Sequence, residues 1–225
     1  MFDSKNIKGV VFDLDGTLFD TEYYQWQGWV VPLKDFGIDL SKEKYLKYAG
    51  KKGEDIEKEL ISDFNLGINQ GDLLNEKRKL LEEWFSTKEL GLMPFAREIV
   101  EYFFNNPNYK VALCSGGPRD EVILKLKRND FLKYFEVITT SSDVKRGKPF
   151  PDIYEKAVEG LGLNNEDCLA FEDTQYGVQS AKDAGLFCFA IPSEYSLQQD
   201  FSKADEVLKS LEDVFPFFKK EKEVI

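Results

Sequence analysis

Histidine is absent from the 225 residues. That absence removes histidine metal ligands, Ser-His-Asp triads and Cys-His dyads together. Acid–base work is left to carboxylates, lysine, tyrosine or cysteine. Cysteine is scarce: Cys114, Cys168 and Cys188 each sit inside an apolar run, and none has a CxxC or CxxH spacing. Three buried core thiols in a reducing compartment is the reading this supports. No apolar run approaches the roughly 20 residues that a membrane helix needs. The opening stretch, MFDSKNIKGVVFDLDG, has an apolar run too short, and too soon interrupted by Asp, for a signal peptide. Basic residues are outnumbered, 30 Lys and Arg against 41 Asp and Glu, for a net charge of −11. Such a surface repels nucleic-acid phosphates and anionic membranes. The expectation is a cytoplasmic monomer with neither a nucleic-acid nor a membrane partner.

What is present is enough apolar material for a core, 42 % of the chain. Short β-rich runs stand at Gly9–Leu14, Lys110–Cys114, Phe135–Thr139, Cys168–Phe171 and Phe187–Ile191. Each is too short for a helix, and most lack alternation, as expected of strands covered on both faces. Helical patterns lie between the later runs, at Pro94–Phe104, Pro118–Arg128, Asp152–Leu161 and Thr174–Ala184, with Gly185 as a stop. Strand–helix alternation predicts an α/β fold, a Rossmann-like parallel sheet flanked by helices. The stretch from Thr21 to Leu90 contains no convincing strand. Tyr23–Phe36, Ser41–Tyr48, Asp55–Phe64 and Gln70–Phe85 read there as amphipathic helices. The expected organisation is an α/β core of residues 1–19 and 92–225 with an inserted α-helical domain at 20–91. The linkers fall near Phe19–Thr21 and Gly91–Pro94. The charged tail, Lys219–Ile225, is expected to fray.

The chemistry gathers at strand ends. In Val10–Asp20 a buried strand runs into Asp13 and Asp15, whose spacing of two directs both carboxylates to one side. They stand at the strand's C-terminal end, where open α/β sheets bind ligands, and Gly16 permits a sharp turn after them. An Asp-rich turn that merely caps the strand accounts for one Asp but poorly for two. Ser115 follows the strand KVALC, with Gly116, Gly117 and Pro118 opening a helix; a hydroxyl with free backbone N–H groups there makes an anion cradle. Lys148, in RGKPFPDIY, is stiffened by Pro149 and Pro151 and offers positive charge, although most loop lysines are simply solvated. Glu172 and Asp173 end a further strand, where capping of the next helix competes with metal binding as their role. Two like charges about 4 Å apart repel by about 4 kcal/mol at an effective dielectric of 20. A hard divalent cation such as Mg²⁺, with Lys148, resolves such crowding.

In this order the segments FDLDGTLFDTE, the Ser115 turn, GKPFPDIY and FEDTQYGVQSAKDAG resemble the signature motifs of the haloacid dehalogenase superfamily. They are nearest to its β-phosphoglucomutase-like and phosphoglycolate-phosphatase-like branch, and the resemblance covers nearly the whole chain. It implies a helical cap domain after the first motif and a Mg²⁺-dependent phosphatase acting on a small organic phosphate ester, such as a sugar phosphate. Asp13 is then the nucleophile forming an aspartyl-phosphate, and Asp15 the acid and later the base. Ser115, Gly116 and Lys148 bind phosphate. Asp13, the Asp15 carbonyl, Asp173 and Glu172 hold the metal. Asp15 also separates the chain from haloalkanoic acid dehalogenases, which lack that second Asp. In the cap, YAGKKGEDI resembles the substrate-contacting loop, which nominates Lys51 or Lys52; two solvated lysines is the bland alternative. Trp29 is expected in the bundle core and Trp26 toward the cleft. Mutase members carry a His where Gln25 stands, a departure that favours hydrolysis over isomerisation. The alternatives that stand beside hydrolysis are a phosphosugar mutase and a non-catalytic binding module on the same fold.

Overall fold

The computed structural model describes residues 4–218. Its centre is a six-stranded parallel sheet built from β1 (Gly9–Asp13), β4 (Lys110–Ser115), β5 (Val137–Thr140), β6 (Cys168–Glu172), β7 (Phe187–Ala190) and β8 (Glu206–Val207). The spatial order is β5-β4-β1-β6-β7-β8. Every residue of β1 is buried, as its unbroken apolar run predicts for a strand with neighbours and helices on all sides. Val10 and Phe12 join one hydrophobic layer, where Phe12 stacks on Phe171 at 4.8 Å; Val11 joins the other, with Ala112, Cys114 and Ala170. The first layer is covered by α5 (Ala96–Phe104) and α6 (Arg119–Arg128), through Ile99, Val100, Phe103, Val122 and Leu126. The second is covered by α7 (Asp152–Leu161) and α8 (Gln175–Asp183). Cys114, Cys168 and Cys188 are free thiols, all buried.

Between β1 and α5 the chain is mainly helical: α1 (Glu22–Lys34), α2 (Lys42–Tyr45), α3 (Gly53–Asp63) and α4 (Asp72–Thr87). These helices share a hydrophobic cluster containing Trp29, Leu33, Leu60 and Leu73. At the two ends of this segment β2 (Phe19–Asp20) and β3 (Gly91–Leu92) pair antiparallel, Phe19 opposite Leu92 and Asp20 opposite Gly91.

Several elements depart from the expectation. Pro118 is extended and caps α6 rather than starting it. The helix expected over Ser41–Tyr48 is regular only for Lys42–Tyr45, after which the chain turns toward Gly50, whose φ is +82°. The β2–β3 ribbon and β8 carry no apolar run that would announce them. The fraying expected of Lys219–Ile225 lies outside the described residues. Among those residues no helix is long and apolar enough to cross a membrane.

Candidate active site

Strand register brings the distant motifs together. Phe12 of β1 is level with Phe171 of β6, so Glu172 lies one step on, beside Asp13. Asp13 is level with Cys114 of β4, so Ser115 lies just beyond it on the other flank. Lys148 arrives from the connection between β5 and α7. Its Nζ donates to both Asp13 Oδ1 and Glu172 Oε1, and the three side chains are almost wholly buried. Tyr154, from the buried face of α7, donates its hydroxyl to Glu172 Oε1 at 2.6 Å. Ser193 Oγ donates to Asp173 Oδ2 at 3.1 Å.

Asp13, Glu172 and Asp173 each present an oxygen within 4.8 Å of the others. Two glycines make room for them. A Cβ on Gly16 would stand 2.1 Å from Asp173 Oδ2, and one on Gly177 would stand 2.0 Å from the Glu172 carboxyl. Burial pushes the Asp13 carboxyl well above the usual carboxylate range; Lys148 opposes the shift, while Glu172 and Asp15 add to it. Asp173 moves the same way, through burial first and then Asp13, Glu22 and Glu172. Burial works against the Lys148 charge, yet Asp13 and Glu172 hold that ammonium above its ordinary range. Three carboxylates against one ammonium leave an excess of negative charge in a desolvated place. All the donors are oxygen, and that set fits a hard divalent cation such as Mg²⁺.

Asp15 is set apart. Its carboxylate is not in the three-acid cluster; Oδ1 accepts from the Thr21 hydroxyl and from Lys125 Nζ, the latter at 2.5 Å. Asp13, Asp15, Lys148 and Asp173 nevertheless line one cleft of about 250 Å³, together with Gly116, Gly117, Lys51 and Lys52. The Ser115 hydroxyl is buried and accepts from the Gly117 N–H at 3.1 Å. Lys51 is paired with Glu59 at 2.6 and 2.8 Å. Lys52 reaches across to Gly147, where a Cβ would meet its Cε at 2.9 Å, and no ion pair engages it among the described residues. Trp29 is buried as expected. Trp26 is a correction: its indole N–H donates to the Leu40 carbonyl at 2.9 Å and it packs on the helical cluster, because the ring needs both an apolar wall and an acceptor.

Several charged residues at or behind the cleft, Lys125, Glu121, Lys77 and Glu22, were not anticipated from the sequence. Lys125 on α6 is fully buried and pairs with Glu121 at 2.6 Å as well as with Asp15. Lys77 on α4 donates to Gln25 Oε1 at 2.7 Å, and Gln25 Nε2 reaches Glu121 Oε1 at 3.4 Å. Burial lowers the Lys77 ammonium to about 8, and raises the Glu22 carboxyl to about 7 with help from Asp15. One signal was available: Lys125 lies between Val122 and Leu126 on the apolar stripe of an amphipathic helix, a costly place for an unpaired charge.

The chain is similar to known proteins over most of its length. The family model described as haloacid dehalogenase-like hydrolase matches residues 10–191. The chain is 32 % identical over 211 residues to protein CbbY of Rhodobacter capsulatus, covering 88 % of this chain and 91 % of that one. It is 30 % identical over 189 residues to the phosphorylated carbohydrates phosphatase of Thermotoga maritima, covering 80 % and 82 %. Among solved structures, CbbY from Rhodobacter sphaeroides in complex with phosphate superposes with a TM-score of 0.80 at 24 % identity, over 92 % of this chain and 96 % of that one. That last likeness bears on the fold.

Proposed function

The chain belongs to the haloacid dehalogenase-like hydrolase family, and from that premise we propose that it hydrolyses a phosphate monoester of a small polar alcohol, a phosphorylated carbohydrate, through a phosphoryl group carried on Asp13. The observation that carries the reading is Asp13 itself. It is a buried carboxylate at the end of the central strand, gripped by Lys148, beside two further acids and open to a cleft.

A carboxylate oxygen of Asp13 attacks phosphorus, the ester P–O bond breaks, and Asp15 gives its proton to the departing alkoxide. Water then attacks the phosphorus of the acyl phosphate and gives a proton to Asp15. The P–O bond to Asp13 breaks, releasing inorganic phosphate and restoring both acids. Lys148 aims Asp13 and lies within reach of the phosphoryl oxygens that arrive on it. The Gly116 and Gly117 backbone, with Ser115 bracing the turn, forms the other wall of the phosphate position. Asp13, Asp173 and the Asp15 carbonyl, with Glu172 beside them, would hold Mg²⁺, which when bound would supply positive charge to offset the acids and the phosphoryl oxygens.

Residues 20–91 act as a cap over the core, 1–19 and 92–225, and the β2–β3 ribbon is its hinge. The cap brings Gln25, Lys51, Lys52, Lys77 and Arg78 to the cleft. Donors and cations of that kind suit a hydroxylated, anionic substrate. Lys51 and Arg78 are paired with Glu59 and Glu54, whereas Lys52 and Lys77 make no ion pair among the described residues and are the local cations for an anion that the net charge would repel. Gln25, engaged by Lys77 and Glu121, stands where a mutase carries a histidine, and this supports hydrolysis over isomerisation.

The test is phosphate release from a panel of sugar phosphates, nucleotides, phosphoglycolate and an aryl phosphate, with Mg²⁺ and with chelator. Metal-dependent release that favours the sugar phosphates is expected. No release from any ester, or release indifferent to chelator, would overturn the reading.

A further inference from the structure

Asp15 is held through a residue outside the motifs, Lys125 of α6. Lys125 has no exposed side-chain surface. Its ammonium lies 4.4 Å from the centroid of the Phe85 ring of α4, and donates to Asp15 Oδ1 at 2.5 Å and to Glu121 Oε1 at 2.6 Å. Thr21 donates to the same Asp15 oxygen. Among the described residues nothing hydrogen-bonds Asp15 Oδ2, while Asp15 lines the cleft. One carboxylate oxygen is therefore doubly anchored and the other is left for chemistry.

A buried ion pair is a poor device for stability. Desolvating both partners consumes most of the attraction, and an apolar side chain of similar size serves the core as well. Lys125 sits on an apolar stripe where Met or Leu would pack. Its neighbours extend the contact outward: Glu121 receives Gln25 of α1, and Gln25 receives Lys77 of α4. A line of polar contacts thus runs from two helices of the 20–91 segment, through α6, to Asp15.

We propose that Lys125 is a positioning residue for Asp15. With Thr21 it fixes Oδ1, so that Oδ2 faces the ester oxygen, delivers the proton as the P–O bond breaks, and later receives the proton of the attacking water. Phe85 and the Glu121–Gln25–Lys77 line place Lys125, so this orientation depends on the helical segment being seated. The inference rests on the role given to Asp15 above, and the experiment separates the two.

The measurement is kcat/KM, which reports phosphoryl transfer to Asp13, on two esters: an alkyl sugar phosphate, whose leaving oxygen needs a proton, and dinitrophenyl phosphate, whose leaving group does not. A positioned general acid contributes about 10²- to 10⁴-fold. Lys125→Met is expected to lose at least about tenfold more on the alkyl ester than on the aryl ester, and Lys125→Gln, which keeps a donor, to recover part of that difference. Asp15→Asn is expected to show the largest selectivity of the three. If Lys125→Met does not fold, Lys125→Gln carries the comparison, with its loss again larger on the alkyl ester. Equal losses on both esters in the Lys125 variants, with Asp15→Asn selective, would overturn the role of Lys125 alone. Equal losses in Asp15→Asn would overturn the assignment of Asp15 as the acid, and this inference with it.

Discussion

Glu57 and Glu172 are both wholly buried acids, one in the helical segment and one at the end of the sheet, and their partners differ in kind. Glu57 accepts the Gly71 N–H at 2.7 Å and the Leu74 N–H at 2.9 Å, at the start of α4. Its charge is consumed by backbone donors at a helix N-terminus, which is a structural use. Glu172 accepts from one lysine, a tyrosine and a single backbone N–H, that of Asp173 at 3.2 Å, and shares its surroundings with Asp13 and Asp173. Burial of an acid therefore does not mark a site. What marks it is an acid crowded by other acids with one cation among them, so that charge is left to be balanced by something that binds.

That contrast can be broken most severely at Asp13. Asp13→Asn is expected to lower turnover by at least about a thousandfold with the fold retained, since an amide is no nucleophile; steady-state phosphate release and circular dichroism check it. Next is Lys148→Ala, which removes the cation gripping Asp13 and Glu172. A loss of about 10²- to 10³-fold in kcat is expected, with a lowered Tm because two buried acids lose their partner. Asp173→Asn is expected to raise the Mg²⁺ concentration for half-maximal activity by about tenfold or more, the range in which ligand-shell changes act; a metal titration of activity measures it.

Two smaller effects are expected at Glu57 and Glu22. Glu57→Ala is expected to cost about 1–3 kcal/mol of stability in denaturant unfolding, by orphaning two N–H groups, while kcat per folded molecule stays unchanged. Glu22→Gln addresses pH. The Glu22 carboxyl is raised in the fold to about 7 from 4.5. Between those values the native state binds more protons than the unfolded chain, so this group makes stability fall as pH rises through the window. Glu22→Gln is expected to flatten that decline by on the order of 1–2 kcal/mol, allowing for the solvent the cleft admits. Unfolding at a series of pH values, with chelator present, checks it.

Much of the fold was legible because strands covered on both faces must be apolar throughout. The runs at β1, β4, β6 and β7 met that condition, and their predicted ends lie within a residue or so of the observed ones. The β2–β3 ribbon and β8 were not legible. Two-residue strands held by backbone pairing leave no side-chain pattern, and both residues of β8 are exposed. The acids were legible as polar residues stranded at the ends of apolar runs, and Lys148 as a loop lysine stiffened by Pro149 and Pro151. Lys125, Glu121 and Lys77 were not, because helical spacing hides which turn of α4 or α6 faces the cleft until the two helices are packed. Trp26 failed for the same reason: an aromatic at helical spacing does not declare its acceptor, and the Leu40 carbonyl lies on another loop.

A covalent phosphoryl group on Asp13 can be trapped chemically. Enzyme mixed with a sugar phosphate and Mg²⁺, then quenched in borohydride, converts an acyl phosphate to the corresponding alcohol, so an aspartyl-phosphate becomes homoserine. Peptide mass spectrometry is predicted to find homoserine at position 13, and none when substrate is withheld. Turnover with no residue reduced at Asp13, or with the label on another side chain, would contradict the account.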